Sequence, residues 1–242
     1  MPATAPAPGT ACRRSRPEPD RTAMDGLIDI SPPVGPSSPV YPGDQRWRRD
    51  WQSRIGPDCA VNLSAITLSP HLGAHADAPL HYDAAGEPAG AMELEPFIGH
   101  CRVVHAIGCG PRVQWNDIAP ALPAGQAVPP RLLLRTYRQQ PRHWDPELAG
   151  IAPDAIERLA ALGVRLVGID SASVDPADSV WLESHQALRR HGLRVLENLC
   201  LDAVDAGDYE LIALPLKLMD CEASPVRAVL RPWRDARAAP TP

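Results

Sequence analysis

Three histidines and one aspartate fall within eleven positions of the run Leu68-Ser-Pro-His-Leu-Gly-Ala-His-Ala-Asp-Ala-Pro-Leu-His81, in a chain that has eight histidines altogether. Imidazole nitrogens and a carboxylate are the ligands that Zn²⁺ and similar borderline divalent cations take. A helical His71-x3-His75 pair would place both rings on one face, but the zincin motif built that way needs a continuous helix and a glutamate directly after the first histidine. Here Leu72 follows His71, Pro70 and Pro79 bracket the run, and Gly73 lies inside it. The run therefore reads as a short loop feeding into or out of a strand. On an extended chain His75 and Asp77, two apart, point the same way, and Gly73 with its neighbouring alanines lets the backbone approach closely. Any one of these histidines alone would read as a solvated loop residue; three with an aspartate at this spacing read as metal ligands. Three ligands from one loop do not finish a metal site, so distant residues are expected to close it.

The elements that must position this run are strands with a few helices between them. Leu27 to Ile30 is a short strand candidate ended by Ser31-Pro-Pro33, and Ala60 to Leu68 alternates as a strand does, delivering the chain to the ligand run. Arg102 to Ile107 and Arg131 to Thr136 carry strand-type apolar runs, with Glu93 to Gly99 an acidic, loop-like connection. Pro153 to Gly163 is the clearest helix, with Pro at its first turn, Asp154 and Glu157 early, and Gly163 as its stop. Val164 to Ile169 follows as a strand ending in Asp170. Ser179 to His191 is a second helix stopped by Gly192, and Tyr209 to Leu218 and Pro225 to Leu230 supply two more strands. Helix and strand are interspersed without the alternation of a barrel or any repeat, which fits a single α/β domain with a mixed sheet. Trp47 and Trp51, in a charged segment, are candidates for capping a pocket and equally for packing.

The chain has 242 residues and a formal charge of -5, long enough for a substantial core and without the basic footprint of a nucleic-acid binder. No run approaches the ~18 apolar residues of a membrane span and no apolar signal segment opens the chain, so the cytoplasm is the expected setting. Six cysteines are scattered without C-x-x-C spacing, which writes neither a zinc ribbon nor a thioredoxin-type motif. Proline, at 29 residues, is more than twice its usual share of about 5%, which suggests stiffened loops around a sheet. Residues 1–23, rich in Ala, Pro and Arg, are expected to be a disordered or wrongly started tail; 24–235 form the domain and 236–242 a short tail.

The histidine run closely resembles the signature His-x-Gly-Thr/Ala-His-x-Asp-x-Pro-x-His of the metal-dependent cyclase-like hydrolases. The resemblance continues in Gly168-Ile-Asp-Ser-Ala-Ser-Val-Asp-Pro176, Ser184-His185, Leu196-Glu-Asn-Leu199, Tyr209 to Leu218 and Ser224 to Leu230, and in Asp29-Ile-Ser-Pro-Pro33 and Pro39-Val-Tyr-Pro-Gly-Asp44 before it. It spans about residues 25–233 and implies the layered β/β/α fold of that family, usually assembled as an oligomer, here a homodimer.

Carried over residue by residue, the resemblance implies a two-zinc centre: His71, His75 and Asp77 hold one ion, His185 and Glu197 the other, and Asp77 bridges. Two such ions share and acidify a water. His81 is then the proton carrier, with a further ligand or an orienting residue as its alternative roles. Tyr41 stands where the family usually has a tryptophan packing against an aromatic substrate; it keeps an aromatic face and adds a hydroxyl. The implied reaction is hydrolysis of N-formyl-L-kynurenine to L-kynurenine and formate. Rival substrates for the same site are another aryl amide, a cyclic amide such as an isatin, or a lactone, kept open by Tyr41 and by Ser171-Ala172 where close relatives have Thr-Pro. A serine-hydrolase mechanism would need a Gly-x-Ser-x-Gly elbow, and Ser171 and Ser173 lack one. A structural or storage metal site is the non-enzymatic rival; it usually is closed and often holds cysteine.

Overall fold

The computed structural model describes residues 26–233, so the two tails read from the sequence lie outside the described residues. The strands in chain order are β1 (Ile28–Asp29), β2 (Arg48–Ser53), β3 (Leu63–Thr67), β4 (His75–Asp77), β5 (Ile98–His105), β6 (Arg112–Val113), β7 (Arg131–Arg135), β8 (Gly150–Ile151), β9 (Leu166–Ile169), β10 (Arg194–Glu197), β11 (Gly207–Ile212), β12 (Ala223–Pro225) and β13 (Val229–Pro232). Three α-helices lie among them, α1 (Trp115–Ile118), α2 (Pro153–Ala161) and α3 (Glu183–His191).

Nine strands form one mixed sheet in the order β1-β13-β11-β5-β7-β9-β10-β4-β12. The central β5, β7, β9 and β10 run parallel, and antiparallel strands extend the sheet on both sides. Strand alternation divides the apolar residues between two faces. Leu132, Leu134, Val167, Ile169 and Val195 pack against Ala155, Ile156 and Leu159 of α2 and Ala187 and Leu188 of α3. On the other face Leu133 and Leu196 share a core with Leu211 and Leu230 from one end of the sheet and Ala76 from the other. Residues from both ends meet in that core because the sheet curls over on itself, which yields two β layers and one helical layer, the expected β/β/α arrangement.

The register brings the ligand run to the helical face. Glu197 of β10 pairs with His75 of β4 and Val195 with Asp77, so His75, Asp77 and Glu197 share the face on which Val195 packs against the helices. The turn before β4 depends on Gly73, whose φ of +74° belongs to the left-handed region and whose added Cβ would stand 2.6 Å from Val34 Cγ2.

Several elements differ from the sequence reading. The strand expected at 60–68 exists as β3, but it pairs with β2 in a two-stranded ribbon apart from the main sheet. Every residue of β3 and all but one of β2 are exposed, because no layer covers the ribbon. The strand expected over 209–218 stops at Ile212; Pro215 lacks the N–H that a continued ladder would use. The loop-like stretch 93–99 holds a 3₁₀ turn over Glu95–Phe97 and the start of β5. The second helix begins at Glu183, four residues later than expected. The short α1 was not anticipated; its Gln114 and Asp117 form a capping box. Among the described residues no helix is long and apolar enough to cross a membrane.

Candidate metal centre and substrate cavity

The five expected ligands converge. Asp77, fully buried, turns its two carboxylate oxygens to different partners: Oδ1 lies 3.1 Å from His71 Nδ1 and 3.3 Å from His75 Nε2, while Oδ2 lies 3.3 Å from His185 Nε2. Glu197 faces both groups, with Oε2 3.3 Å from His75 Nε2 and Oε1 3.5 Å from His185 Nε2. Backbone and side-chain partners aim the rings. His75 Nδ1–H donates to the Gly73 carbonyl at 2.9 Å, which leaves Nε2 turned inward. His185 Nδ1 is 2.8 Å from Asp175, and the Val174 N–H donates to Glu197 Oε1 at 2.8 Å.

Two polar atoms at the middle of this group, His75 Nε2 and Asp77 Oδ1, are buried without a hydrogen-bond partner. Buried polar atoms are nearly always satisfied, so a pair of acceptors facing each other marks the place of a cation. The ligand atoms of His71, His75 and Asp77 all lie within 4.8 Å of one another, and so do those of Asp77, His81 and His185. This donor set of imidazole and carboxylate without cysteine fits Zn²⁺ or a similar divalent metal.

The electrostatics agree with that fit. Burial opposes protonation of His75, yet the facing Asp77 and Glu197 carboxylates outweigh it and push its pKa up to about 10. For His185 burial acts against the charged form, and Asp175, Asp77 and Glu197 together raise it well above the usual histidine value. Asp77, despite burial, is held well below the carboxylate range by the imidazoles of His185, His71 and His75 that face it. A pocket that draws protons onto its imidazoles this strongly also favours a divalent cation in their place.

His81 ends the 3₁₀ turn Pro79–His81 that follows β4. Its ring centroid is 4.4 Å from that of His71 and 5.7 Å from that of His185, and it opens on the cavity. The protein around it lowers its pKa by desolvation, with the Asp77 carboxylate pulling the other way.

The cavity above these residues has a volume of about 670 Å³, with His71, His81, His185 and Glu197 at its floor. Tyr41 lines its wall as expected, paired edge to face with Trp144 at 5.1 Å between centroids and 81° between planes. The expectation that Trp47 or Trp51 caps a pocket is corrected: neither lines this cavity, and Trp51 stands on the exposed ribbon under the guanidinium groups of Arg49 and Arg54. Sequence reasoning missed Trp144 and the segment that carries it. That segment starts at Thr136, whose N–H and hydroxyl donate to the buried Asp170 at 2.8 and 2.6 Å, followed by the Tyr137 N–H at 3.0 Å. Asp170 and Asp175 both lay in the Gly168–Pro176 stretch quoted for the resemblance, but nothing in the sequence gave either a task.

Comparison with known proteins places the chain. The Cyclase family model matches residues 28–176. The kynurenine formamidase of Delftia acidovorans is 62% identical over 205 residues, covering 85% of this chain and 97% of its own. That of Bordetella pertussis is 58% identical over 209 residues, covering 86% and 99%. Among solved structures, one described as a potential metal-dependent hydrolase with cyclase activity superposes with a TM-score of 0.74 at 27% identity, over 86% of this chain and 98% of that one. An isatin hydrolase bound to thioisatinate, at 22% identity and a TM-score of 0.71 over 86% and 92%, shares the fold. A family match across most of the domain, and relatives more than half identical over nearly their whole length, mean that the chain belongs to the Cyclase family, beside its bacterial kynurenine formamidases, and is a hydrolase acting on an amide.

Proposed function

We propose that this chain hydrolyses N-formyl-L-kynurenine to L-kynurenine and formate, using two Zn²⁺ ions, one held by His71, His75 and Asp77 and the other by Asp77, His185 and Glu197. The observation that carries this is Asp77, whose two oxygens face separate sets of imidazoles, as a bridging carboxylate must. When bound, the two ions would polarise the formyl oxygen and acidify a water at neutral pH.

The chain's own groups do the rest. His81, held neutral and open to the cavity, accepts a proton from the attacking water and returns it to the anilide nitrogen. The C–N bond then breaks to give the free aryl amine and formate. Tyr41 and Trp144 offer the substrate's ring an aromatic wall, and Asp44 and Asp145 on the same cavity lining offer carboxylates to its α-ammonium group. The isatin-type alternative draws on proteins that share only the fold, whereas the formamidases share more than half of the sequence. The cytoplasmic setting and the homodimer belong to the same reading. For the dimer the exposed β2–β3 ribbon, with Trp51, Leu63 and Ile66 open to solvent, offers a surface.

The test is turnover of N-formyl-L-kynurenine followed by the absorbance of kynurenine. Activity should vanish with a chelator, return with Zn²⁺, and leave the circular dichroism of the chelated chain folded. Turnover that persists in the metal-free chain, or a preference for isatins, would overturn the proposal.

A further inference from the structure

Asp175 is completely buried in the connection between β9 and α3 and accepts three hydrogen bonds. Ser184 N–H donates to Oδ1 at 2.9 Å, His185 N–H to Oδ2 at 3.0 Å, and His185 Nδ1–H to the same Oδ2 at 2.8 Å. The first N–H groups of a helix have no partner within it. In α3 the preceding residue, Leu182, sits in the left-handed region and gives no side-chain cap. Asp175 supplies from outside the helix what a capping residue would supply from within.

Its neighbour completes the arrangement. Val174 N–H donates to Glu197 Oε1 at 2.8 Å, and the Val174 carbonyl accepts the Ile151 N–H of β8 at 2.7 Å. Gly150 passes so close that an added Cβ would stand 2.4 Å from that carbonyl oxygen. The Val174–Asp175 dipeptide is thus pinned to the scaffold on one side and, on the other, holds both residues assigned solely to the second ion. The first ion's His75 is aimed independently, by the Gly73 carbonyl.

From this we infer that Asp175 is the positioning residue of the second metal site: by accepting the His185 Nδ1–H it fixes the tautomer that presents Nε2 to the ion, and it thereby sets the affinity of that ion without touching the first. The inference rests on the two-ion reading. A carboxylate behind a ligating histidine orients the ring and makes it a stronger donor, and removing such a partner costs 10- to 100-fold in metal affinity.

The experiment is a competition titration of metal-free chain with a chromogenic chelator and Zn²⁺, giving one dissociation constant per ion, on the wild type and on Asp175→Asn. Asparagine keeps one of the two acceptor oxygens, puts an NH₂ donor in place of the other, and loses the charge. The second ion should weaken by 10- to 100-fold while the first stays within threefold. A purely structural role would lower the thermal midpoint of the metal-free variant and leave both constants unchanged; that result overturns the inference. Wild-type chain that binds fewer than two ions would instead remove the two-ion reading beneath it. Should the variant not fold, two-bond ¹H–¹⁵N correlations on zinc-loaded wild type decide: a protonated, hydrogen-bonded His185 Nδ1 supports the inference, and a proton-free Nδ1 overturns it.

Discussion

His81 differs from His75 and His185 in having no hydrogen bond that aims its ring. His75 is fixed by the Gly73 carbonyl and His185 by Asp175, whereas the His81 ring lies between those of His71 and His185 and faces the cavity. A group that must take up a proton and give it away needs such freedom, and a ligand does not. Replacing His81 by Ala is expected to cut turnover by about 10²- to 10⁴-fold, the range of general acid–base catalysis, while both ions remain bound at wild-type affinity. Loss of one ion in that variant, measured by metal content after dialysis, would assign His81 to the ligand set instead. The candidate ligand types and the loop that carries them were legible in sequence because Pro70, Gly73 and Pro79 exclude a helix and leave an extended chain on which His75 and Asp77 align. His185 and Glu197 were not legible from their own surroundings. A histidine on an amphipathic helix and a glutamate after two apolar residues look ordinary, and only the resemblance selected them.

The segment from Thr136 to Asp145 shows how an irregular element can be held by groups distant in sequence, with the buried Asp170 at its start and Asp202 and Leu199 at Gln140. Asp170, at the end of β9, accepts from the Thr136 and Tyr137 backbone and from the Thr136 hydroxyl, and the segment then runs along the cavity to Trp144 and Asp145. Asp145 is itself tied back by the Tyr137 hydroxyl at 2.8 Å. Burial raises the pKa of Asp170 to about 6, prevailing over the hydrogen bonds from Thr136 and Tyr137, which lower it. Between the unfolded value of about 3.9 and this folded value, the folded chain holds a proton that the unfolded chain has released. Stability attributable to Asp170 therefore falls as pH rises through that window, by about 3 kcal/mol in all, and the loss is complete near pH 7. Thermal midpoints of metal-free wild type and Asp170→Asn, compared from pH 4.5 to 7, should show the wild type losing ground to the variant as pH rises. Parallel curves would mean that Asp170 is ionised throughout. None of this segment was legible in sequence. Tyr137, Gln140 and Trp144 follow a strand in a proline-interrupted stretch with no periodicity, and the groups that hold Tyr137 and Gln140, namely Asp170, Leu199 and Asp202, are distant in sequence.

At the scale of the molecule, the site is a product of sheet register. His75 and Glu197 are about 120 residues apart in sequence and directly opposite each other across β4 and β10, and α3 lays His185 over the same face. The α/β character and the principal helix were readable from periodicity and from Pro153 and Gly163. The curl that brings Ala76 and Leu230 into one core was not, because local patterning carries no information on which strands end up adjacent. The exposed ribbon escaped for the related reason that alternation in β3 signals a strand without saying what covers it. Metal counting decides whether this register builds the proposed centre for two metal ions bridged by Asp77. Elemental analysis of zinc-reconstituted chain, paired with an anomalous difference map from its crystals, should give two ions per chain. One peak should lie among His71, His75 and Asp77, and the other among Asp77, His185 and Glu197. A single ion, or two peaks of which neither touches Asp77, would contradict it.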